Sequence, residues 1–95
     1  MKLSADQFAI TPSAGSISHT EACHIADLVV GDRRVRTVVI DLKNAFEVTT
    51  SAFARLVLLR RLLLKTGRDL LLVNLRDRAM SLYQINRLGG VLPCA

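Results

Sequence analysis

The stretch that decides the fold runs from residue 38 to residue 75 and reads VVIDLKNAFEVTTSAFARLVLLRRLLLKTGRDLLLVNL. Its two ends, VVIDL and DLLLVNL, are short continuous apolar runs, which are typical of strands buried on both faces. Between them the spacing of the leucines predicts a helix from about residue 50 to residue 65, which ends before Gly67. A strand, a helix and a second strand form a βαβ unit, so the two strands are predicted to be parallel, and the first of them is placed in the centre of the sheet.

The sequence before this unit predicts one more strand and one more helix. Residues 7–11 are a short strand candidate that stops at Pro12. Ser18 and Glu21 have the S-x-x-E spacing of a capping box, and the apolar residues after them recur at helical spacing as far as Gly31. A strand followed by a first amphipathic helix is therefore predicted ahead of the βαβ unit.

The sequence after the unit predicts a last helix from about residue 77 to residue 88. Leu82, Ile85 and Leu88 recur at helical spacing and are predicted to face the core. Gly89 and Gly90 end this helix before residues 91–93. The whole pattern predicts an α/β fold with about four strands in a small mixed sheet and three helices.

Length and composition place the chain among small globular domains. With 95 residues it is expected to form one domain over residues 1–95. Its longest apolar runs fall well short of the roughly 20 residues that cross a bilayer. The first residues, MKLSAD, have no secretory signal pattern, so we expect a cytoplasmic protein.

The charge and the reactive side chains exclude several classes of function. A net charge of +5 raises nucleic acid as a partner, but aromatic residues make up only 4% of the chain and offer few surfaces for base stacking. Cys23 and Cys94 are expected to be free thiols. His19 and Cys23 are two ligands without a third, so no metal is predicted. No nucleophile elbow or phosphate loop occurs, so we predict a protein without a cofactor that is not an enzyme.

With this order of elements, residues 38–75 resemble a STAS domain of the bacterial anti-sigma factor antagonists. In that family a buried strand ending in Asp-Leu, here Asp41 and Leu42, leads through a short loop to a D-S-x-G-type motif at the start of the second helix. The corresponding residues here are TTSA, residues 49–52. The resemblance covers about residues 8–93, and it is carried by spacing and pattern more than by identity. It implies that residues 91–93 correspond to the short strand that follows the family's third helix.

The resemblance implies a function in partner switching. Such a domain binds an anti-sigma factor that is also a kinase, and phosphorylation at the start of the second helix reverses the binding. Thr50 occupies the acceptor position, with Ser51 and Thr49 as further phosphoacceptor candidates. Thr49 stands where the family usually has Asp, and Ala52 where it usually has Gly.

The hydroxyl residues also have a purely structural interpretation. Thr and Ser are preferred N-caps because their side-chain oxygen accepts a hydrogen bond from a backbone N–H that the helix leaves unpaired. One cap needs one hydroxyl, whereas Thr49, Thr50 and Ser51 supply three. Capping alone and a phosphorylation switch both remain open from the sequence.

The helix after these hydroxyls suggests a docking surface. On a helical wheel, one face carries Ala52, Leu56, Leu59 and Leu63, and it is predicted to face the core. Leu58 and Leu62 fall on a flank beside Arg55, where neighbouring elements either cover them or leave them for a partner. The predicted partner-binding residues are Ala52, Phe53, Arg55, Leu58 and Leu62.

Two other functions remain open at this point. STAS-like subunits also occur in bacterial lipid-transport ABC systems, where the domain docks on the transporter ATPase and the hydroxyls only cap. A basic docking module for nucleic acid is the third interpretation, and its binding would weaken steeply with salt. A homodimer is compatible with each of them.

Overall fold

The computed structural model describes residues 7–13, 15–31 and 36–95. These residues form a compact α/β domain with a Cα radius of gyration of 12.2 Å, and the predicted α/β class with three helices is confirmed. The predicted mixed sheet is instead a parallel sheet of three strands and a separate parallel pair. The fold is consistent with a STAS-like architecture. Among the described residues, no helix is both long and apolar enough to cross a membrane.

Nine elements follow one another along the chain. In order they are β1 (Gln7–Ile10), β2 (Ser16–Ile17), α1 (His19–Val30), β3 (Thr37–Asp41), β4 (Glu47–Val48), α2 (Thr50–Leu64), β5 (Asp69–Val73), α3 (Asp77–Ile85) and a final 3₁₀ turn (Leu88–Gly90).

The main sheet has three parallel strands in the order β1-β3-β5. Strand β3 is central, as predicted, and its residues Val38, Val39 and Ile40 are all fully buried. Because successive side chains of a strand point to opposite faces, burial of three in a row means that both faces of β3 are covered. Burial on both faces explains why the sequence of β3 is a continuous apolar run.

Helices α1 and α2 pack against each other and against one face of the sheet. The core between them includes the predicted inner row of α2, which is Ala52, Leu56, Leu59 and Leu63. The predicted inner row of α1 is also buried, namely Ala22, Ile25, Ala26 and Val29. The 3.6-residue spacing of apolar side chains therefore identified the packed face of both helices.

Hydrogen bonds from the backbone and from two arginine side chains fix the position of the end of α2. Gly67 has a φ of +73°, and the N–H of Arg68 donates to the Leu63 carbonyl at 2.9 Å, a reversal that favours glycine. The buried Arg68 side chain donates to the Val29 carbonyl in the last turn of α1 at 2.9 Å. Arg60 donates from Nε to Asp69 at 2.8 Å, so α2 is bonded to the first residue of β5.

The C-terminal part differs from its prediction in the length of its helix, in the exposure of Ile85 and in its last strand. Helix α3 ends at Ile85, and this residue is 75% exposed rather than inward-facing. Its buried residues are Ala79 and Tyr83, and the Tyr83 hydroxyl donates to the Leu92 carbonyl at 2.6 Å. The predicted short strand at residues 91–93 reduces to a single parallel bridge, between Cys94 and Leu72 of β5.

A second sheet was not predicted. It consists of β2 and β4, two residues each, paired in parallel with Ile17 opposite Val48. Two-residue strands carry no alternation of apolar and polar residues, so no sequence pattern announces them. This small pair nevertheless determines how the two long helices begin.

Candidate functional site

The starts of α1 and α2 lie side by side because of the β2–β4 pair. Ile17 and Val48 are partners in register, and the next residues along the chain, Ser18 and Thr49, are the N-caps of α1 and α2. The backbone N–H of Thr49 donates to the Ile17 carbonyl at 3.0 Å and continues the pairing by one residue. Two helix N-termini, each with a partial positive charge, therefore meet at one edge of the molecule.

The start of α1 already has its negative charge. The Glu21 carboxylate accepts hydrogen bonds from the Ser18 hydroxyl and from the Ser18 backbone N–H, the latter at 3.0 Å, and the predicted capping box forms. These bonds lower the pKa of Glu21 below its usual value. An ionised carboxylate in the first turn also interacts favourably with the helix dipole.

The start of α2 is capped by Thr49 alone. Thr49 has extended backbone angles, and its Oγ1 accepts a hydrogen bond from the Ala52 N–H at 3.1 Å. The first turn of α2 contains no acidic residue, and the sequence has none from residue 48 to residue 68. The dipole of α2 is therefore not matched by a nearby carboxylate on its own helix.

Thr50 and Ser51 are left over from capping. Both are exposed, in the first turn of the helix. The Ser51 hydroxyl lies 3.3 Å from Thr49 Oγ1, close enough to share a hydrogen bond with the cap. Of the three phosphoacceptor candidates, the structure therefore gives Thr49 a capping role and places Thr50 and Ser51 at the surface.

An exposed aromatic residue lies just before this helix start. Phe46 is more than half exposed, and the Arg76 guanidinium stacks over its ring at 5.3 Å from the centroid. The Phe46 carbonyl accepts a hydrogen bond from the Ala79 N–H in the first turn of α3. Arg78 is 4.0 Å from Glu47, a long contact between exposed side chains. The segment just before α2 therefore presents an exposed aromatic ring with an arginine stacked on it.

The predicted partner-binding residues divide into two sets. Ala52 and Phe53 are buried, and the Phe53 ring lies 6.2 Å from that of Tyr83, so these two residues belong to the core and have no surface for a partner. Leu58 and Leu62 are 52% and 48% exposed, and Arg55 is partly buried. Of the predicted set, the structure leaves Arg55, Leu58 and Leu62 at the surface.

Asp41 holds the loop that leads to this site. At the end of β3 its carboxylate accepts a hydrogen bond from the Lys43 backbone N–H at 3.0 Å and one from the Asn74 amide at 2.9 Å. Burial acts to raise the pKa of Asp41, but these hydrogen bonds and the nearby Lys43 charge outweigh it, and the pKa lies below its usual value. The loop after β3 is thus bonded to the loop after β5.

Sequence reasoning missed Phe46 and Arg76 as members of this surface. A single exposed aromatic residue in a short loop gives no periodic signal, and its stacking partner lies 30 residues away in the chain. His19 and Cys23 do come together, with 3.4 Å between Nε2 and Sγ, and both thiols of the chain are free.

Comparisons with known proteins add no relative. No protein-family model matches the chain. No curated protein sequence matches it with significance either. The resemblance to STAS domains therefore stays a prediction from the motif, consistent with the fold.

Proposed function

We propose that this domain is a regulatory protein-binding module without catalytic activity, located in the cytoplasm, whose docking face is the exposed start and flank of α2. Phosphorylation of Thr50 or Ser51 would control which partner binds. By the motif's resemblance, the partner would be an anti-sigma factor of the kinase type. The proposal rests on the arrangement at the start of α2, where Thr49 caps the helix and Thr50 and Ser51 are exposed hydroxyl residues that the cap does not need.

The electrostatics of the helix start support phosphorylation as a control. A phosphoryl group adds about −1.5 to −2 charges at neutral pH. At the first turn of α2 that charge would meet a helix N-terminus whose first turn contains no acidic residue, so the fold would tolerate it. A partner that binds over Phe46 and Leu58 would meet a new charge at the edge of its contact.

The surface of α2 supports protein binding. Its flank presents half-exposed leucines with a partly buried arginine beside them, the combination that forms the centre and rim of many interfaces. Arg55, Leu58 and Leu62 lie on the same helix as the acceptor hydroxyls. One rigid element therefore connects the proposed switch to the proposed contact.

The first test is peptide mapping of the protein purified from cells that produce it naturally. Cleavage after Lys43 and Arg55 releases residues 44–55, NAFEVTTSAFAR, which contain all three hydroxyls. We expect an increment of about 80 Da, one phosphoryl group, on Thr50 or Ser51. A peptide that stays unmodified under every growth and stress condition contradicts the switch.

The second test compares two variants as bait. Thr50→Ala and Thr50→Glu should retain the partner to opposite extents, while Ser51→Ala reports on the alternative acceptor. Thr49→Ala is unsuitable as a bait because it removes the cap. Equal retention by Thr50→Ala and Thr50→Glu, together with an unmodified peptide, would indicate constitutive docking, as expected for a subunit of a transporter ATPase.

A further inference from the structure

A cavity of about 690 Å³ opens near the C-terminal ends of the two long helices, at the other end of α2 from the exposed hydroxyls, and it shares Leu62 with the proposed docking flank. Its apolar wall is formed by Val30 at the end of α1 and by Leu62 and Leu63 near the end of α2. Arg36, just before β3, and Arg68, just before β5, also line it. The volume lies in the range of small-ligand pockets, roughly 300–1,000 Å³.

The backbone carbonyls nearest to the cavity are already hydrogen-bonded. The Val29 carbonyl accepts from the Arg68 guanidinium at 2.9 Å. The Leu63 carbonyl accepts from the Arg68 N–H at 2.9 Å and from the Thr66 hydroxyl at 3.1 Å. The Val29 and Leu63 carbonyls therefore already have hydrogen-bond donors, although the C-terminal end of a helix would otherwise favour a cation.

Among the residues that the structure describes, the charged side chains that line the cavity, Arg36 and Arg68, are both basic. Arg36 is exposed and forms no ion pair with any residue that the structure describes. Arg61 and Lys65, in the last turn of α2 and just beyond it, are exposed as well, and no acidic residue occurs from residue 48 to residue 68. The nearest carboxylate after this stretch, Asp69, is paired with Arg60.

We propose that this cavity binds a small amphipathic anion, a carboxylate or similar head group on an unbranched alkyl chain. The head group pairs with Arg36 at the exposed side, and the chain lies against Val30, Leu62 and Leu63. A guanidinium beside an aliphatic wall suits this chemistry because it forms charge-assisted hydrogen bonds to the head while the wall excludes water from the chain. The site is separate from the proposed switch, because it lies at the other end of α2.

The test is an amide ¹H–¹⁵N NMR titration of the full chain with three probes of equal chain length. These are octanoate, octanol and octylammonium, each below its micelle-forming concentration. Octanoate should bind most tightly and should shift the amides of Val30, Leu62, Leu63 and Gly67. Octanol should bind more weakly at the same place, and octylammonium should be weakest.

Matched variants assign the effect to the cavity. Arg36→Gln should weaken octanoate binding by about tenfold and leave octanol binding unchanged, because it removes only the charge-assisted contact. Leu62→Ser should weaken both ligands. Arg61→Gln, an exposed arginine on the same helix outside the cavity, is the control and should change neither. Circular dichroism of each variant confirms that it is folded.

Two outcomes overturn the proposal. Equal binding of octanoate and octylammonium would show that the head group is not recognised. Equal losses for Arg36→Gln and Arg61→Gln would show a diffuse basic surface instead of a site. A parallel sedimentation assay with anionic phospholipid vesicles identifies the source of the anion: binding that depends on Arg36 and Leu62 but not on Arg61 indicates a lipid head group, and octanoate binding without vesicle binding indicates a free amphiphile.

Discussion

Leu58 and Leu59 are neighbours on α2, yet Leu59 is 1% exposed and Leu58 is 52% exposed. Thr49 and Thr50 differ in a similar way, since the Thr49 side chain caps the helix and Thr50 is exposed at the surface. One side of the helix packs in the core and carries the cap. The other side has the same residue types, leucine and threonine, at the surface, where they do not stabilise the fold. The difference teaches that the open side is the one available for binding and modification.

The largest expected effect concerns the two leucines. Leu59→Ala should lower the free energy of unfolding by about 3 kcal/mol, because it removes a fully buried side chain and leaves a cavity. Leu58→Ala should change it by less than about 0.5 kcal/mol. Urea denaturation of both variants measures the difference. Similar losses for the two leucines would show that Leu58 is covered in the folded protein.

The next effect concerns the two threonines. Thr49→Ala should cost about 1 kcal/mol, because the Ala52 N–H loses its side-chain acceptor at the helix start. Thr50→Ala should lie within about 0.5 kcal/mol of the parent protein. Thermal and urea unfolding provide the measurement. If the order is reversed, Thr50 and not Thr49 carries the cap, and Thr50 is no longer a free acceptor.

A smaller effect, this time a gain in stability, tests whether the start of α2 is stabilised by a negative charge. Thr50→Asp should stabilise the domain by about 0.5 kcal/mol relative to Thr50→Asn, because only the aspartate adds a negative charge near the helix N-terminus. The gain should shrink as salt is added, since screening weakens interactions at the surface. A destabilising Thr50→Asp would mean that the first turn of α2 does not tolerate a negative charge, and that phosphorylation would act by loosening the helix.

The smallest effect is a difference in the pH dependence of stability between the cap of α1 and the cap of α2. The folded-state pKa of Glu21 is lowered, so its contribution to stability is present above the usual glutamate pKa and is lost as the pH falls through the lowered value. Glu21→Gln should therefore make stability fall less steeply in acid. Thr49→Ala should lower stability by a similar amount at every pH, because the α2 cap does not titrate. Urea unfolding between pH 2.5 and pH 6, roughly the range over which carboxyl groups titrate, follows both variants. Equal acid slopes in Glu21→Gln and the parent protein would contradict the capping-box account.

The periodic parts of the structure were predicted correctly. The apolar runs gave β3 and β5, and the 3.6-residue spacing gave the packed faces of α1 and α2, since both patterns follow directly from backbone geometry. The candidate site was only partly predicted. Ala52 and Phe53 were expected at a partner's surface although they are core residues, and Ile85 was expected in the core although it is exposed. Near the end of a helix, a small rotation or an early stop decides which side a residue faces, and spacing alone does not fix either.

The sequence by itself determined the α/β class, the central strand, the inner row of α2 and the presence of more hydroxyls at its start than one cap needs. Each of these depends on residues close together in the chain, whose geometry the backbone repeats. Only the tertiary structure decided that the starts of α1 and α2 meet through the β2–β4 pair, that Arg76 stacks on Phe46, and that Arg36 shares a cavity with Leu62 and with Arg68. These contacts join residues that are 26 to 32 positions apart. Their free energy comes from the packing of whole elements, and no local pattern encodes it.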